Sequence, residues 1–441
     1  MVKDIFLTNE EIDNILKGNI VNRNKYLNII LNHLNQSEEN EIIAIDGAWG
    51  SGKTVFLKEI EFLLKNPEIE EYTQIDKEIL ESNRNEYLTY YFNAWESDDS
   101  ESALKSLMYK LVEDNELKED GKILIGIKSI VDIILKFKTN GTIGLKDIYN
   151  KDFSKEDLLE DINKNKIIKK EFKNIIDELT IEKKKRILII IDEIDRCKPT
   201  FAVDLLENIK HFYDDERIVF LVGTNNKELG NTICKVYGEK YDGYGYLDKF
   251  FDYTYELPYN YIDNYINNKY AGNTFDNYST LVPKQLSKNY KLTMREYNRY
   301  KASLDKIRSY YDRSPSYNVA FNYFLKYIFV PIALILKIKN KQIYYEFMDG
   351  NAFNVIKDFV ENNIYDSEIF DLICENDYGL SQEISKIKKG FPNDKDAEKK
   401  QINDLKIKTY QRNYSLINLE ENNKILLESI NRVKDIIGMM Q

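Results

Sequence analysis

The chain has little histidine or cysteine: His33, His211, Cys197, Cys234 and Cys374 are the whole complement, without metal-ligand spacing among them. A zinc site and a disulfide framework are therefore not expected. Proline is scarce, at 7 residues, and glycine numbers only 18 in 441, which argues against long linkers and disordered tails. Positive charge is not in excess either. With 63 basic against 74 acidic residues the net charge is -11, which disfavours a protein whose whole surface neutralises the phosphates of a polyanion. The basic run Lys183–Arg186 leaves a local patch for nucleic acid, although such a run more commonly protects the end of a strand.

Long apolar runs are missing too. Ile123–Phe137 is interrupted by Lys128 and Asp132, and Tyr323–Lys339 by Lys326 and Pro331, whereas a membrane span needs about 20 apolar residues. Both stretches read as buried helices, and no membrane contact is expected. The opening MVKDIFLTNEEID is acidic where an export signal is basic and then apolar. A cytoplasmic protein is expected.

What is present is a globular composition, 43% hydrophobic and 31% charged, in a chain long enough for one large core and at least one further module. Apolar residues at helical intervals, among them Ile12, Leu16, Ile30 and Leu34, predict two short helices ahead of the core. Glu41–Asp46 then reads as a β-branched strand entering a Gly-rich turn, and the segment from Thr54 as a helix. Tyr87–Trp95 is an aromatic strand, followed by an acidic turn and a helix through Ala103 and Leu111 that Asp98 or Ser100 could cap. Arg186–Asp195 carries five consecutive apolar residues, the pattern of a parallel strand buried on both faces. A helix over Thr200–Tyr213, a strand over Arg217–Asn226, a helix near Leu229–Tyr237 and a strand ending at Pro258 complete the alternation. Such alternation argues for an α/β fold around a parallel sheet. A charged, mostly helical insertion is expected at about 113–185, interrupting a core of residues 1–258. Helical patterns fill 259–390, and a last helical segment, 391–441, shows an amphipathic stripe at Leu419, Leu426, Ile430, Val433 and Ile437.

GAWGSGKT, Gly47–Thr54, matches every position of G-x-x-x-x-G-K-[ST], between a strand and a helix as that motif requires. Gly47, Ala48, Trp49, Gly50, Ser51 and Gly52 would close backbone N–H groups around a phosphate chain. Lys53 would reach the β- and γ-phosphates, and the Thr54 hydroxyl would ligand Mg²⁺ at the positive end of a helix. Asp192, at the carboxyl end of its strand, would hold Mg²⁺ through its water shell. Glu193 points differently and would polarise an attacking water; the bland alternative is a solvated acidic strand end. Thr224 and Asn225 end the next strand, where an amide could touch the γ-phosphate or simply form a turn.

Three further blocks stand in order with the phosphate loop: FNAW at Phe92–Trp95, IIIDEIDRCKP at Ile189–Pro199, and YLDKFFD at Tyr246–Asp252. Together they resemble the KAP family of P-loop NTPases, relatives of the AAA+ and STAND groups, over roughly residues 1–310. The resemblance implies a three-layer αβα P-loop core with a parallel sheet, followed by a helical C-terminal region. It implies ATP and Mg²⁺ as cofactors, Asp192 as the metal acid, and Glu193 as the catalytic carboxylate, with Asp195 able to share that role. Asn225 stands where the family commonly has Asp, and suits an AAA+-like sensor. LTMREYNRY, Leu292–Tyr300, is similar to the family's helical segment after the core, which suggests Arg295 or Arg299 reaching the nucleotide from a lid; a surface salt-bridge pair is the alternative. Arg196 and Lys249 are candidates for a cation acting on a neighbouring subunit. TNNK, Thr224–Lys227, has the wrong order for a guanine-reading motif, so ATP is expected over GTP. The family further implies an ATPase-driven conformational or assembly switch, with self-association and protein partners, in prokaryotic antiviral defence. A nucleotide-gated scaffold with little turnover is the alternative. No nuclease, protease or deaminase signature accompanies the core, so any damaging activity is expected of a partner.

Overall fold

The computed structural model describes residues 7–67, 71–99, 103–113, 264–266, 278–311, 319–361 and 394–415, and, with short gaps, 170–257, 370–391 and 434–438. Most of the expected insertion, the stretch Ile123–Phe137, and Leu419–Val433 of the C-terminal stripe lie outside the described residues. The chain divides into two compact units, Met1–Pro258 and Tyr259–Gln441.

In the first unit, β1 (Glu41–Asp46), β2 (Tyr87–Asn93), β3 (Arg186–Asp192), β4 (Ile218–Thr224) and β5 (Tyr253–Glu256) form one sheet in the order β2-β3-β4-β1-β5. Every pairing is parallel. Asp46 pairs with Thr224 and Asn93 with Asp192, so the strands end nearly level and present one row of carboxyl ends. The chain leaving β1 crosses to β2 on one side, whereas the chain leaving β4 crosses β1 to β5 on the other. The connections thus diverge at the carboxyl ends of β1 and β4, the position where open parallel sheets place their ligands.

Both faces of the sheet are covered, which is why the strands read as unbroken apolar runs. Ile187, Ile189 and Ile191, with Ile42, Phe220 and Val222, pack into one cluster with Leu107, Leu205 and Ile233. Those last residues belong to α5 (Ala103–Glu113), α6 (Pro199–Phe212) and α7 (Asn226–Tyr237), next to the short α8 (Gly243–Asp248). The alternate residues Ile43, Ile45, Leu188 and Ile190 are equally buried and face the other way. There α3 (Lys53–Lys65) packs on β2, β3 and β4, beside α1 (Asn9–Gly18), α2 (Asn24–Gln36) and α4 (Lys77–Glu86). A buried ion pair at 3.4 Å, Arg23 with Glu59, ties the start of α2 to α3.

One helix was not expected from the sequence, and one expected cap changes. The polar helix α4 carries almost no apolar pattern; Asp76 starts it by accepting from Glu78 N at 2.9 Å, and Asn83 anchors it by donating to Leu31 O at 2.7 Å. Asp98 does not cap α5, because its Oδ2 accepts from Lys198 N; Asp204 of α6 takes the Ala103 amide at 3.1 Å instead. Ser100 lies outside the described residues.

The second unit is helical throughout its described residues. Its central helix runs Val319–Lys339 and widens to a π turn at Leu325–Phe329. Pro331 explains that turn: its ring would collide with the carbonyl four residues back, and widening the helix relieves the collision without breaking it. The apolar stretch thus passes uninterrupted through Lys326 and Pro331. Among the described residues Phe321–Lys339 is one helix long and apolar enough to cross a membrane, and most of it is buried within its own unit. Tyr297, Tyr300, Phe347 and Tyr410 pack around it, and the Tyr300 hydroxyl donates to Pro331 O at 3.1 Å.

Candidate functional site

Gly47 leaves β1 hydrogen-bonded to Thr224 O at 3.1 Å, so the loop rises from the sheet beside β4. Gly50 and Gly52 have φ values of 82° and 94°, a left-handed region open to glycine at no steric cost. A Cβ on Gly47 would lie 2.8 Å from Ser51 Oγ, so a side chain here would require that hydroxyl to move. Helix α3 begins at Lys53 without a side-chain cap, which leaves its first amides available to an anion. Lys53, 8% exposed, folds back and donates to Gly47 O and Ala48 O. Burial pulls its ammonium below the usual lysine range, while the carboxylates of Asp195, Asp192 and Asp46 oppose that shift.

Asp192 is 1% exposed and closes the site from β3. Its Oδ2 accepts from the Tyr91 hydroxyl at 2.8 Å, and its Oδ1 from the Glu193 amide at 2.8 Å. Burial raises its carboxyl above the usual range; hydrogen bonds from Tyr91, Thr54 and the Glu193 amide, and the Lys53 charge, pull it back. The Thr54 hydroxyl thus stands on the Asp192 side of the loop, and its oxygen lone pairs are available to a cation. Glu193 follows in a left-handed conformation, φ 62°, and its Oε1 lies 2.8 Å from Arg196 Nη1. The Arg196 guanidinium in turn sits 5.6 Å from the Trp95 ring centre. Asp195 is buried and accepts from the Trp49 indole, a link from the acidic turn directly to the phosphate loop.

The strand between these two parts is β4. The Thr224 hydroxyl at its end is buried, and neither it nor Ser51 Oγ has a hydrogen-bond partner among the described residues. Asn225 caps α7, its Oδ1 accepting from Glu228 N at 3.4 Å, so its carbonyl oxygen already has a structural role. Asp46 Oδ1 accepts from Asn226 N at 2.9 Å and fixes the β1 and β4 ends to each other.

These donors fit a nucleotide with magnesium. Among the described residues there is no cluster of three or more His, Cys, Asp or Glu that could cage a metal. Magnesium does not require one, since it keeps several waters and takes one or two protein oxygens with phosphates. The Thr54–Asp192 pair supplies those oxygens, Lys53 the adjacent cation, and Ser51 Oγ and Thr224 Oγ1 two buried polar atoms still able to bond.

The first unit thus brings together Lys53, Thr54, Asp192, Glu193 and the end of β4. Arg295 and Arg299 are exposed residues of the second unit, on the helix Met294–Tyr311. Lys249 is exposed after α8, and Arg196 is engaged by Glu193 of its own chain. Of the basic run at β3, Lys183 lies outside the described residues, while Lys185 donates to Arg84 O at 2.7 Å and Arg186 to Ser37 O, Glu39 O and the Tyr87 hydroxyl. The other sequence blocks are structural ties. Asp252 returns both backbone and side chain to Ile42 of β1, and Cys197 is buried with its thiol on Glu193 O at 3.6 Å. Tyr91 and the Trp49 indole were not singled out from the sequence. A tyrosine in an aromatic strand reads as core, and the indole's partner lies far along the chain.

Residues 23–342 match the family described as the KAP family P-loop domain. The chain belongs to the KAP family. The matched stretch begins at the buried Arg23, includes the whole sheet, and extends past Pro258 to the helices around Phe321–Lys339. The KAP domain therefore takes in part of the helical second unit as well as the nucleotide core. No curated protein matches the chain.

Proposed function

We propose that this KAP-family protein binds ATP with Mg²⁺ at the carboxyl edge of the sheet and hydrolyses it. The observation that carries the reading is the buried Asp192 carboxylate beside the buried Lys53 of a complete phosphate loop, with a second carboxylate, Glu193, next in the chain. The loop amides and Lys53 would bind and orient the phosphates. Magnesium, when bound between Thr54 and Asp192, would neutralise charge on the phosphate oxygens. Glu193 would accept a proton from the attacking water, which requires its carboxylate to part from Arg196. Asp195 is the alternative base, and its carboxylate would first have to leave the Trp49 indole. Asn225 and Arg295 would act as sensors of the γ-phosphate.

Turnover would drive a change of conformation or assembly, with self-association and a protein partner receiving the signal. A cytoplasmic role in prokaryotic antiviral defence, with a partner as effector, is the reading that family membership favours. The test is ATP turnover by wild type, Lys53→Ala and Glu193→Gln. Both variants are expected to lose at least about a hundredfold in rate, and equal rates in all three would defeat the enzymatic reading. Native mass with and without ATP then tests the switch, because an unchanged assembly would leave nothing for turnover to drive.

A further inference from the structure

Tyr91 lies in the middle of β2, opposite Ile190 of β3, on the face covered by α3. It is 7% exposed, yet its polar end is not directed to water: the hydroxyl donates to Asp192 Oδ2 at 2.8 Å. Lys58 of α3 holds the ring from above, with Nζ 3.2 Å from the ring centre, and is itself fixed by Glu61 at 2.8 Å. A phenol hydroxyl facing an acceptor-only carboxylate can only donate to it. The opposite oxygen of Asp192 is held by the Glu193 amide. A carboxylate has a broad, soft terminal torsion, and two donors on opposite oxygens remove that freedom.

We infer that Tyr91 is a positioning residue for the metal carboxylate, setting the orientation in which Asp192 meets the magnesium–nucleotide complex. The inference rests on the reading of Asp192 as the metal acid. Outer donors of this kind orient metal ligands, and their loss commonly costs about 10–100-fold in metal affinity. A residue that only filled space would influence stability and leave the metal requirement alone.

The experiment uses the full chain with Tyr91→Phe, which keeps the ring beneath Lys58 and removes one oxygen, together with Asp192→Asn. Binding of a fluorescent ATP analogue is titrated with MgCl₂ and repeated in EDTA, with thermal melting as the check on folding. Tyr91→Phe is expected to need about tenfold or more Mg²⁺ for half-maximal metal-dependent binding, with wild-type binding in EDTA. A wild-type Mg²⁺ requirement in Tyr91→Phe overturns the inference, whatever its melting temperature. If Asp192→Asn is impaired in that case, the metal reading of Asp192 stands and only the role of Tyr91 falls. If Asp192→Asn also keeps the wild-type requirement, both fall together.

Discussion

Glu193 occupies a left-handed backbone conformation that costs a residue with a side chain about 1–2 kcal/mol, and its carboxylate is turned to Arg196 rather than to the phosphate loop. Strain of this kind persists where surrounding contacts determine the geometry, and here the following turn does so through Arg196 N on Glu193 O at 3.0 Å. The ion pair is partly exposed, so its worth is about 1 kcal/mol, equivalent to roughly fivefold in an equilibrium. If the pair must open before Glu193 serves as base, Arg196→Ala should hydrolyse ATP about fivefold faster than wild type, with little change in KM. A large loss of turnover, restored by mixing with Lys53→Ala subunits, would instead assign Arg196 to a neighbouring subunit's site. At this scale the phosphate loop was readable in the sequence because its chemistry is contained in eight adjacent residues. The partners of Asp192 and Asp195 were not, since Tyr91 and Trp49 stand 101 and 146 positions away. Arg196 was readable only as a candidate cation for a neighbouring subunit, because spacing does not show that a tight turn folds it onto Glu193.

Among the elements, the decisive fact is that β4 lies between β1 and β3. Individual strands were readable from their apolar runs, but their order was not, because pairing is set by contacts far apart in sequence. The order gives Gly223 a role that its place in FLVGTNN does not reveal. A Cβ there would lie 2.5 Å from Leu57 Cδ1 of α3 and 3.0 Å from Asp192 Oδ1, so glycine lets the phosphate-loop helix and the metal carboxylate close over β4. Gly223→Ala should therefore act on stability and the site at once. Overpacking predicts a loss of about 1–3 kcal/mol in denaturant unfolding, and displacement of Asp192 predicts a raised Mg²⁺ requirement for nucleotide binding. A stability loss with an unchanged Mg²⁺ requirement would show that Leu57 alone yields. The same order places Asn225 at the start of α7, where its cap is worth about 1 kcal/mol to the helix. A sensor role therefore has to be separated from that structural one.

For the whole molecule, the two hydrophobic clusters share no residue: one surrounds the sheet, the other the helix that runs through Phe329. The α/β class of the first was readable in alternating patterns, while the second reads only as helices, since helix packing partners leave no periodic signature. Separate cores predict separate responses to damage. Phe329 is 1% exposed and stacks on Phe347 with ring centres 5.0 Å apart, so Phe329→Ala removes a central side chain at a cost of about 3–5 kcal/mol. Amide hydrogen exchange reads the consequence residue by residue. The Ile332–Leu336 amides should lose protection in Phe329→Ala while those of Ile187–Ile191 in β3 hold theirs, and MgATP binding should survive. Equal loss of protection in both would mean that the two units unfold as one cooperative body. The same measurement bears on the apolar helix itself: burial by Tyr297, Tyr300 and Tyr410 predicts high protection in aqueous buffer without detergent. A helix that needed lipid to cover it would exchange freely there.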